Sequence, residues 1–254
     1  MAGRWLNRGQ TRRAGNKLPT LRTALPPTLK LSIIIPTVNE AGRIAVALIA
    51  LQPLRERGAE ILVVDGGSTD GTAEIAARGA DHVISAVRGR ASQQNAGAQQ
   101  AMGDTFLFLH SDTQLPLDAD GLIADALSER SAQWGRFDVR FDTQQTMLRV
   151  VATMMNARSR LTGIATGDQC IFVRRSAFEA AGGFPPLALM EDIALSTLLR
   201  RQSAPECLRN KVTTSARRWQ KNGIWRTIFL MWWLRLAYAL GVSPARLARW
   251  YGPS

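Results

Sequence analysis

The sequence predicts an α/β domain built on a parallel sheet with right-handed crossovers. Short continuous apolar runs, which are typical of buried parallel strands, alternate with longer segments of helical character over residues 31–109. Turns containing glycine or proline separate these segments. Three of the apolar runs also end in polar residues, at the edge of the sheet where such proteins bind ligands.

Four strands are predicted in this part of the chain. The first, residues 31–35 (LSIII), is stopped by Pro36, and the second, residues 60–65 (EILVVD), runs into a glycine-rich turn. The other two are residues 82–86 and residues 105–109 (TFLFL). Their spacing leaves room for one helix between successive strands, as parallel pairing requires.

Three helices are predicted between these strands. Asn39 is expected to cap the first, over residues 40–57. The turn at 66–72 (GGSTDGT) leads into a short second helix that ends near Gly79. The third, residues 90–102, is followed by Gly103 as its expected C-cap. Beyond this region, helices are predicted over 144–161 and 191–201, and a strand over 211–216.

Composition and charge limit the classes of protein to which the chain can belong. The chain has 254 residues, 46% of them hydrophobic, which is enough for a sizeable core and argues against disorder of the whole chain. Two cysteines and two histidines exclude a disulfide framework and a multi-histidine metal site. The net charge of +12 is uneven, with +7 in residues 1–30, +10 in 200–254 and −5 between them. These features predict a basic, mostly disordered tail over 1–29, a main domain over 30–210 and a C-terminal strand and helical extension over 211–254.

The basic ends leave contact with an anionic membrane surface open. Residues 1–30 lack the apolar segment of a secretory signal, and the cysteines are expected to be free, so a cytoplasmic location is expected. The most apolar stretch, residues 224–242, has only seven consecutive uncharged residues at 228–234, too few to span a bilayer. It is expected either to pack in the core or to lie on a membrane surface, where Trp225, Trp232 and Trp233 would favour the interface.

Polar residues follow three predicted strands, at 36–40, 65–70 and 110–112. Asp65 can accept a hydrogen bond from a base or a ribose hydroxyl, or it can act as a capping residue of the turn. Asp112 can hold Mg²⁺ or Mn²⁺ beside a diphosphate, or it can be an ordinary turn residue. Arg90, in the sequence Arg88-Gly89-Arg90 before a helix, suits either a phosphate or a solvated turn.

Two later clusters also have a structural and a chemical interpretation. Glu191 and Asp192 begin a helix that ends in arginines, an order that complements the helix dipole. One of the two carboxylates can instead act as a general base for an acceptor hydroxyl. The sequence Arg217-Arg218-Trp219 can bind a phosphate and stack on a sugar, or it can be a surface patch.

Five segments together resemble family 2 glycosyltransferases of the GT-A fold. They are SIIIPTVNEA (32–41), EILVVDGGSTDGT (60–72), GRASQQNAGAQQAMGDTFLFLHSDT (89–113), GDQCIFVRRSAFEAAGGF (167–184) and MEDIALSTLLRR (190–201). Their order and spacing match over about two-thirds of the chain, and the third segment looks most like the small bacterial branch associated with arsenosugar-type biosynthesis. The resemblance implies a UDP- or GDP-linked sugar donor and an inverting displacement.

The resemblance also implies roles for individual residues. Asp192 would be the catalytic base, and Asp112, at the last position of the family's DxD motif, would hold Mg²⁺ or Mn²⁺. The donor would lie near Pro36, Asn39, Glu40, Asp65, Arg90, His110 and Ser111. The acceptor side would include Gly167, Asp168, Glu191, Arg218 and Trp219, with helix 144–161 and the C-terminal region completing the acceptor pocket.

The chain departs from the family pattern at two positions. His110 occupies the first DxD position, and Ser215 occupies the glutamine position of the QxxRW motif of processive members. The second departure, together with the lack of spanning helices, predicts transfer of a single sugar to an acceptor that can be lipid-linked.

Two other functions remain as alternatives. A nucleotidyltransferase would require a glycine-rich, basic loop after the first strand, where this chain has PTVNEAGR. A non-catalytic basic module that binds membranes or nucleic acid would fit the charged ends, but it has no need of Asp65, Asp112 and Asp192 together. No specific nucleic-acid partner is expected.

Overall fold

The computed structural model describes residues 29–128 and 131–252 of the chain. The predicted basic tail over 1–29 lies outside the described residues except for Leu29, which is buried in the core.

A single mixed sheet of eight strands forms the centre of the described chain. The strands are β1 (Leu31–Thr37), β2 (Glu60–Asp65), β3 (His82–Ser85), β4 (Thr105–Phe108), β5 (Thr113–Gln114), β6 (Trp134–Phe141), β7 (Ile171–Arg174) and β8 (Glu206–Thr214). Their order is β3-β2-β1-β4-β7-β6-β8-β5. The four strands predicted from sequence pair in parallel, as expected. β7 is antiparallel to both β4 and β6, so the purely parallel prediction is wrong for the second half of the sheet.

Helices cover both faces of this sheet. They are α1 (Ala41–Glu56), α2 (Thr72–Ala76), α3 (Arg90–Gln100), α4 (Ala119–Ala126), α5 (Thr146–Thr162), α6 (Arg175–Ala180), α7 (Glu191–Arg200), α8 (Arg217–Asn222), α9 (Ile224–Ala239) and α10 (Pro244–Tyr251). Alternate residues of β1 point to opposite faces, so Ile33 and Ile35 pack with α1 whereas Ile34 packs with α3. Each such fully buried side chain contributes about 1.5–3 kcal/mol of hydrophobic stabilisation.

Two predicted helix caps have other roles. Asn39 lies in the left-handed region with φ 54°, and its side-chain oxygen accepts a hydrogen bond from the Thr69 amide instead of capping α1. α3 ends at Gln100, before Gly103. At Gly103 a side chain is excluded for a tertiary reason, because a Cβ would lie 2.4 Å from the Lys30 carbonyl oxygen of the neighbouring segment.

The C-terminal region is joined to the main domain through the sheet. β8 begins before the strand predicted at 211–216, crosses the predicted boundary at residue 210 and pairs with β6. α9 and α10 pack through a small apolar cluster of Met190, Leu234, Ala237 and Leu247.

Of the two alternatives for residues 224–242, packing in the core is wrong for most of the large apolar side chains. Trp225, Phe229, Trp232, Trp233, Leu236 and Leu240 are all more than half exposed, and their spacing puts them on one face of α9. Within the described residues, no helix is both long and apolar enough to cross a membrane.

Candidate active site

A cavity of about 820 Å³ opens at the carboxyl ends of β1 and β4. Twelve of the fourteen residues predicted for the site line it: Pro36, Glu40, Arg90, His110, Ser111, Asp112, Gly167, Asp168, Glu191, Asp192, Arg218 and Trp219. Its volume is within the range typical of small-molecule sites. Asn39 and Asp65 are the two predicted residues that do not line the cavity, and both belong to an adjoining turn.

We call the ends of β1 and β4 that line this cavity, together with the turn at 65–72 that adjoins them, the strand-end wall. The wall formed by α5, α8, α9 and α10 is the helical wall. α7 lies between them and carries Glu191 and Asp192 at its first turn.

Asp65 organises the turn of the strand-end wall. One of its carboxylate oxygens accepts hydrogen bonds from the amides of Gly67 (3.0 Å) and Ser68 (2.9 Å). The other oxygen accepts a hydrogen bond from the Ser68 hydroxyl. Asp65 therefore has the structural role in the turn that was one of its two interpretations from the sequence. This buried carboxylate fixes the backbone at the end of β2.

A second set of hydrogen bonds ties this turn to the start of α1. The Ser68 hydroxyl oxygen accepts from the Asn39 amide at 2.9 Å, and the Asp70 carboxylate accepts from the Ala41 amide at 3.1 Å. The Asp70 pKa is lowered, primarily by the hydrogen bond from the Thr72 hydroxyl. The hydrogen-bonding groups of this turn are thus satisfied within the protein.

His110 lies between two acidic residues of the site. Its Nδ1 atom is 3.5 Å from the Asp168 carboxylate, and Asp112 follows two residues later at the cavity surface. Burial opposes the charge of Asp168, but interaction with His110 and then with Arg90 lowers the pKa of its carboxyl below the ordinary value. Asp168 is therefore ionised at neutral pH.

Asp192 is held by two backbone amides. Its Oδ2 atom accepts from the Gly167 amide at 2.8 Å, and Oδ1 accepts from the Ile193 amide at 2.7 Å. A Cβ on Gly167 would lie 2.7 Å from the His110 ring, so a side chain at this position would have to displace that ring. The carboxylate of Asp192 has a fixed orientation in the cavity.

Glu191 is more buried than Asp192 and differs from it electrostatically. Burial, followed by the negative charge of Asp192, raises the pKa of the Glu191 carboxyl. Desolvation opposes the charge of Arg90, but Glu191 and the other nearby acids raise the pKa of its guanidinium overall. Arg90 therefore stays cationic opposite the first turn of α7.

Arg218 and Trp219 are held in the helical wall by aromatic contacts. The Arg218 guanidinium lies 3.6 Å from the centroid of the Tyr251 ring, a cation–π arrangement. The Trp219 ring packs edge-on against Phe141 at 5.5 Å between centroids. Both side chains face the cavity, so they form part of the site and not a separate surface patch.

Sequence reasoning assigned no role to several lining residues. Arg158 lies on α5, within the predicted acceptor helix, but was given no role of its own, and Arg235 and Tyr251 were missed. Nothing in the local sequence indicates that α9 and α10 fold back over the cavity. In the same two predicted acceptor regions, Asn156 is buried against β6 and Trp225 is exposed away from the cavity.

Backbone strain is concentrated around the site. In the described chain the non-glycine residues with positive φ are Asn39 (54°), Cys170 (49°) and Met190 (70°). Asn39 follows β1, Cys170 follows the short 3-10 turn Gly167–Gln169, and Met190 directly precedes Glu191. Each is a position where the chain turns sharply to bring a polar residue to the cavity.

The donor atoms present fit a divalent cation shared with a phosphate ligand. The described residues contain no group of three or more His, Cys, Asp or Glu side chains placed to hold a metal. Mg²⁺ and Mn²⁺ need only one or two protein carboxylates when phosphate oxygens and water supply the other ligands. Asp112 meets this requirement, since among the described residues its carboxylate takes part only in a long 3.4 Å hydrogen bond from the Thr113 hydroxyl.

The fold is that of a GT-A glycosyltransferase. The family described as Glycosyl transferase family 2 matches residues 32–182, and the chain belongs to this family. The enzyme class predicted from the sequence is confirmed.

Two solved structures illustrate the fold. The mannosyltransferase PcManGT from Pyrobaculum calidifontis, in complex with GDP-Man and Mn²⁺, is 21% identical with a TM-score of 0.59 and aligns over 87% of this chain and 65% of its own. TarS 1–349 from S. aureus in complex with UDP is 20% identical with a TM-score of 0.59, over 73% of this chain and 60% of its own.

Two curated relatives are more similar in sequence. The undecaprenyl-phosphate 4-deoxy-4-formamido-L-arabinose transferase of Klebsiella pneumoniae is 30% identical over 162 residues, which are 59% of this chain and 49% of the relative. The succinoglycan biosynthesis protein ExoA of Rhizobium meliloti is 37% identical over 101 residues, which are 39% of this chain and 30% of the relative. The chain thus matches about half or less of the length of these relatives.

Proposed function

We propose that the protein transfers a single sugar from a UDP- or GDP-linked donor to an acceptor hydroxyl with inversion at the anomeric carbon. The observation that carries the proposal is the convergence of Asp112, Asp168 and Asp192 on one cavity at the carboxyl ends of β1 and β4. A nucleotidyltransferase would place a glycine-rich basic loop after β1, where this chain has Val38, Asn39 and Glu40.

The donor nucleotide would lie along the strand-end wall. Pro36 and Glu40 would border it, and the turn fixed by Asp65 and Asn39 would present its backbone to the base and ribose. Arg90 and Arg218 would neutralise the diphosphate as charge develops on it. Asp112 would hold Mg²⁺ or Mn²⁺, with His110 and Ser111 beside it, and a bound cation would act as a Lewis acid on the leaving diphosphate.

Asp192 would remove the acceptor proton. The acceptor oxygen attacks the anomeric carbon from the face opposite the diphosphate, the bond to the diphosphate breaks, and the proton remains on Asp192. The fixed orientation of this carboxylate, set by the Gly167 amide at 2.8 Å, supports a role as general base. Asp168 and Glu191 would shape the acceptor side, and Trp219 would contact the sugar.

The acceptor is proposed to be lipid-linked and the protein to work on the inner face of a membrane. The named activity of the Klebsiella relative, transfer to undecaprenyl phosphate, supports the lipid character of the acceptor. The exposed apolar face of α9 also supports it, since Trp225, Phe229 and Trp233 could enter a bilayer interface with Arg226 beside them. The cytoplasmic location and the relation to the arsenosugar-type branch stay predictions.

A vesicle experiment tests the membrane contact. Co-sedimentation with vesicles that contain anionic lipid should fall when Phe229 and Trp233 are both changed to Ser. Leu161→Ser, at an apolar side chain 87% exposed on α5, is the matched control and should leave sedimentation unchanged. Equal sedimentation of the double variant and the wild type would contradict the proposed contact.

The donor site is tested by calorimetric titration of UDP and GDP with and without Mn²⁺. We expect binding of one nucleotide that requires the metal, is lost in Asp112→Ala and persists in Glu179→Ala, a control at an exposed carboxylate. No binding of either nucleotide to the folded protein would overturn the proposal. Salt-sensitive RNA or lipid binding that survives Asp112→Ala would favour the non-catalytic basic module.

A further inference from the structure

Two arginines of the helical wall have no polar partner of their own. Among residues 29–128 and 131–252, neither Arg158 nor Arg235 makes an ion pair or a side-chain hydrogen bond. The Nε and Nη2 atoms of Arg158 are also removed from solvent, so they lose water without gaining an acceptor. Guanidinium nitrogens that are removed from water without an acceptor are costly, which indicates that a ligand completes the hydrogen bonding of Arg158.

The neighbours of Arg158 on α5 show that its orientation is set by the fold. The Asn156 side chain forms hydrogen bonds with both backbone groups of Val139, at 2.9 and 3.0 Å, and Arg160 pairs with Asp138 at 2.7 Å. These contacts fix α5 against β6. Asp138 is already shared between Arg160 and the fully buried Arg136, so Arg158 has no carboxylate on this side and faces the cavity.

The two arginines are close enough to affect each other. Burial, followed by the positive charge of Arg235, lowers the pKa of Arg158 to about 10. Burial also lowers the pKa of Arg235, which the negative charge of Asp192 partly offsets. Two like charges in one cavity repel, and an anion between them would remove the repulsion.

The total charge of the cavity leaves room for this anion. Six cationic and five anionic side chains line the cavity in the described chain. A divalent cation at Asp112 and the roughly two negative charges of a donor diphosphate would cancel each other. The net charge of the cavity would then be that of its lining side chains. Arg90 and Arg218 already serve the proposed diphosphate position, so Arg158 and Arg235 are available to a second anion.

The surroundings of this pair are apolar. Met154, Met155, Ile228, Met231 and Trp232 line the same cavity, and Met154 and Trp232 are more than half exposed at its rim. Trp232 also belongs to the exposed face of α9. The cavity therefore offers a cationic pocket that continues into an apolar surface, which suits a ligand with an anionic head and a hydrocarbon chain.

We propose that Arg158 and Arg235 form an anion subsite for the acceptor, which binds a phosphate monoester group beside Asp192. This inference rests on the proposed function and deepens it, because it assigns a chemical class to the acceptor. The planar guanidinium groups would each donate to phosphate oxygens and so orient the acceptor oxygen toward the base. The apolar rim would carry a hydrocarbon chain where the acceptor has one.

Calorimetric titration of the full chain with octyl phosphate tests the subsite. We expect octyl phosphate to bind, octanol to bind at least about tenfold more weakly, and Arg158→Gln and Arg235→Gln each to reduce octyl phosphate binding by about tenfold or more. Arg158→Lys keeps the charge and should recover part of the affinity. Arg249→Gln, at an exposed arginine of α10, is the matched control and should bind as the wild type does.

Each remaining outcome decides between explanations. Equal binding by the wild type and both glutamine variants, shown to be folded by circular dichroism, would overturn the subsite. Loss of Mn²⁺-dependent UDP or GDP binding in the same variants would also overturn it, since the pair would then serve the donor. Glutamine variants that retain nucleotide binding and lose octyl phosphate binding would support the subsite, even if no transfer to an acceptor hydroxyl were observed. Binding of sn-glycerol 3-phosphate as tight as that of octyl phosphate would support the subsite and indicate a soluble acceptor.

Discussion

The two walls of the cavity satisfy their polar groups in different ways. On the strand-end wall, Asp65 and Asp70 accept hydrogen bonds from amides of the same turn or of the adjoining helix. On the helical wall, Arg158 and Arg235 have no such partner in the described chain. The turn at 65–72 of the first wall has its hydrogen bonds satisfied within the protein, whereas the two arginines of the second wall are satisfied by a ligand. We infer that the site is preorganised for a common donor and leaves its unpaired charge for the acceptor.

Replacement of the proposed base Asp192, which lies on α7 between the two walls, should have the largest effect on the transfer rate. Asp192→Asn should lower the transfer rate by about 10²- to 10⁴-fold, because the amide cannot take the acceptor proton. Nucleotide binding should remain, since Asn can still accept the hydrogen bond from the Gly167 amide. Rates come from product formation and binding from titration. Weakened nucleotide binding with residual turnover would instead assign Asp192 a purely structural role at the start of α7.

A steric change at Gly167 should have the next largest effect. Gly167→Ala would push a methyl group against the His110 ring and displace the backbone that orients Asp192. Transfer should fall by about tenfold to a hundredfold, as expected for a misplaced catalytic group. Gly42→Ala is the matched control, since no atom lies within 4 Å of its added methyl group, and it should not change turnover. An unchanged rate in Gly167→Ala would show that the loop moves freely.

A substitution in the turn of the strand-end wall should lower the stability of the folded protein. Asp65→Ala leaves the Gly67 and Ser68 amides without their acceptor and should lower the free energy of unfolding by about 1–3 kcal/mol, measured by urea denaturation. Asp112→Ala, at the cavity surface where the carboxylate has a single long hydrogen bond in the described chain, should cost much less. If both variants were destabilised equally, the contrast between structural and ligand-directed carboxylates would be wrong.

The smallest effect concerns the pH dependence of stability through Glu191. Burial raises the pKa of its carboxyl in the folded state, so the folded state binds this proton more tightly than the unfolded chain does. The free-energy cost of burying the ionised carboxylate is absent below the ordinary pKa of 4.5. This cost grows as the pH rises from that value to the pKa of the folded state. Glu191→Gln should therefore gain stability relative to the wild type at neutral pH.

Chemical denaturation at pH 4 and pH 7 measures this difference. The stability difference between Glu191→Gln and the wild type should be near zero at the lower pH and favour the variant at the higher one. Glu179→Gln, at an exposed carboxylate, should show no such change. A difference that is independent of pH would mean that Glu191 does not titrate as its burial implies.

Much of the strand-end wall could be predicted because its determinants are local. The apolar runs of β1, β2 and β4 and the residues directly after them placed Pro36, Asp65 and Asp112 near one edge. The cap assigned to Asn39 was wrong because its side chain found a partner in the next turn, 30 residues away. Local sequence does not specify such a distant hydrogen bond.

The sequence by itself determined the family and the four parallel strands, and it predicted the acidic residues that line the cavity, since these depend on apolar periodicity and on motifs of contiguous residues. Only the tertiary structure decided the antiparallel placement of β7, the outward face of α9 and the positions of Arg158, Arg235 and Tyr251 at the cavity. These features depend on how distant segments pack. The same helical pattern in α9 is compatible with burial or exposure until the small cluster of Met190, Leu234 and Leu247 fixes which side faces the protein.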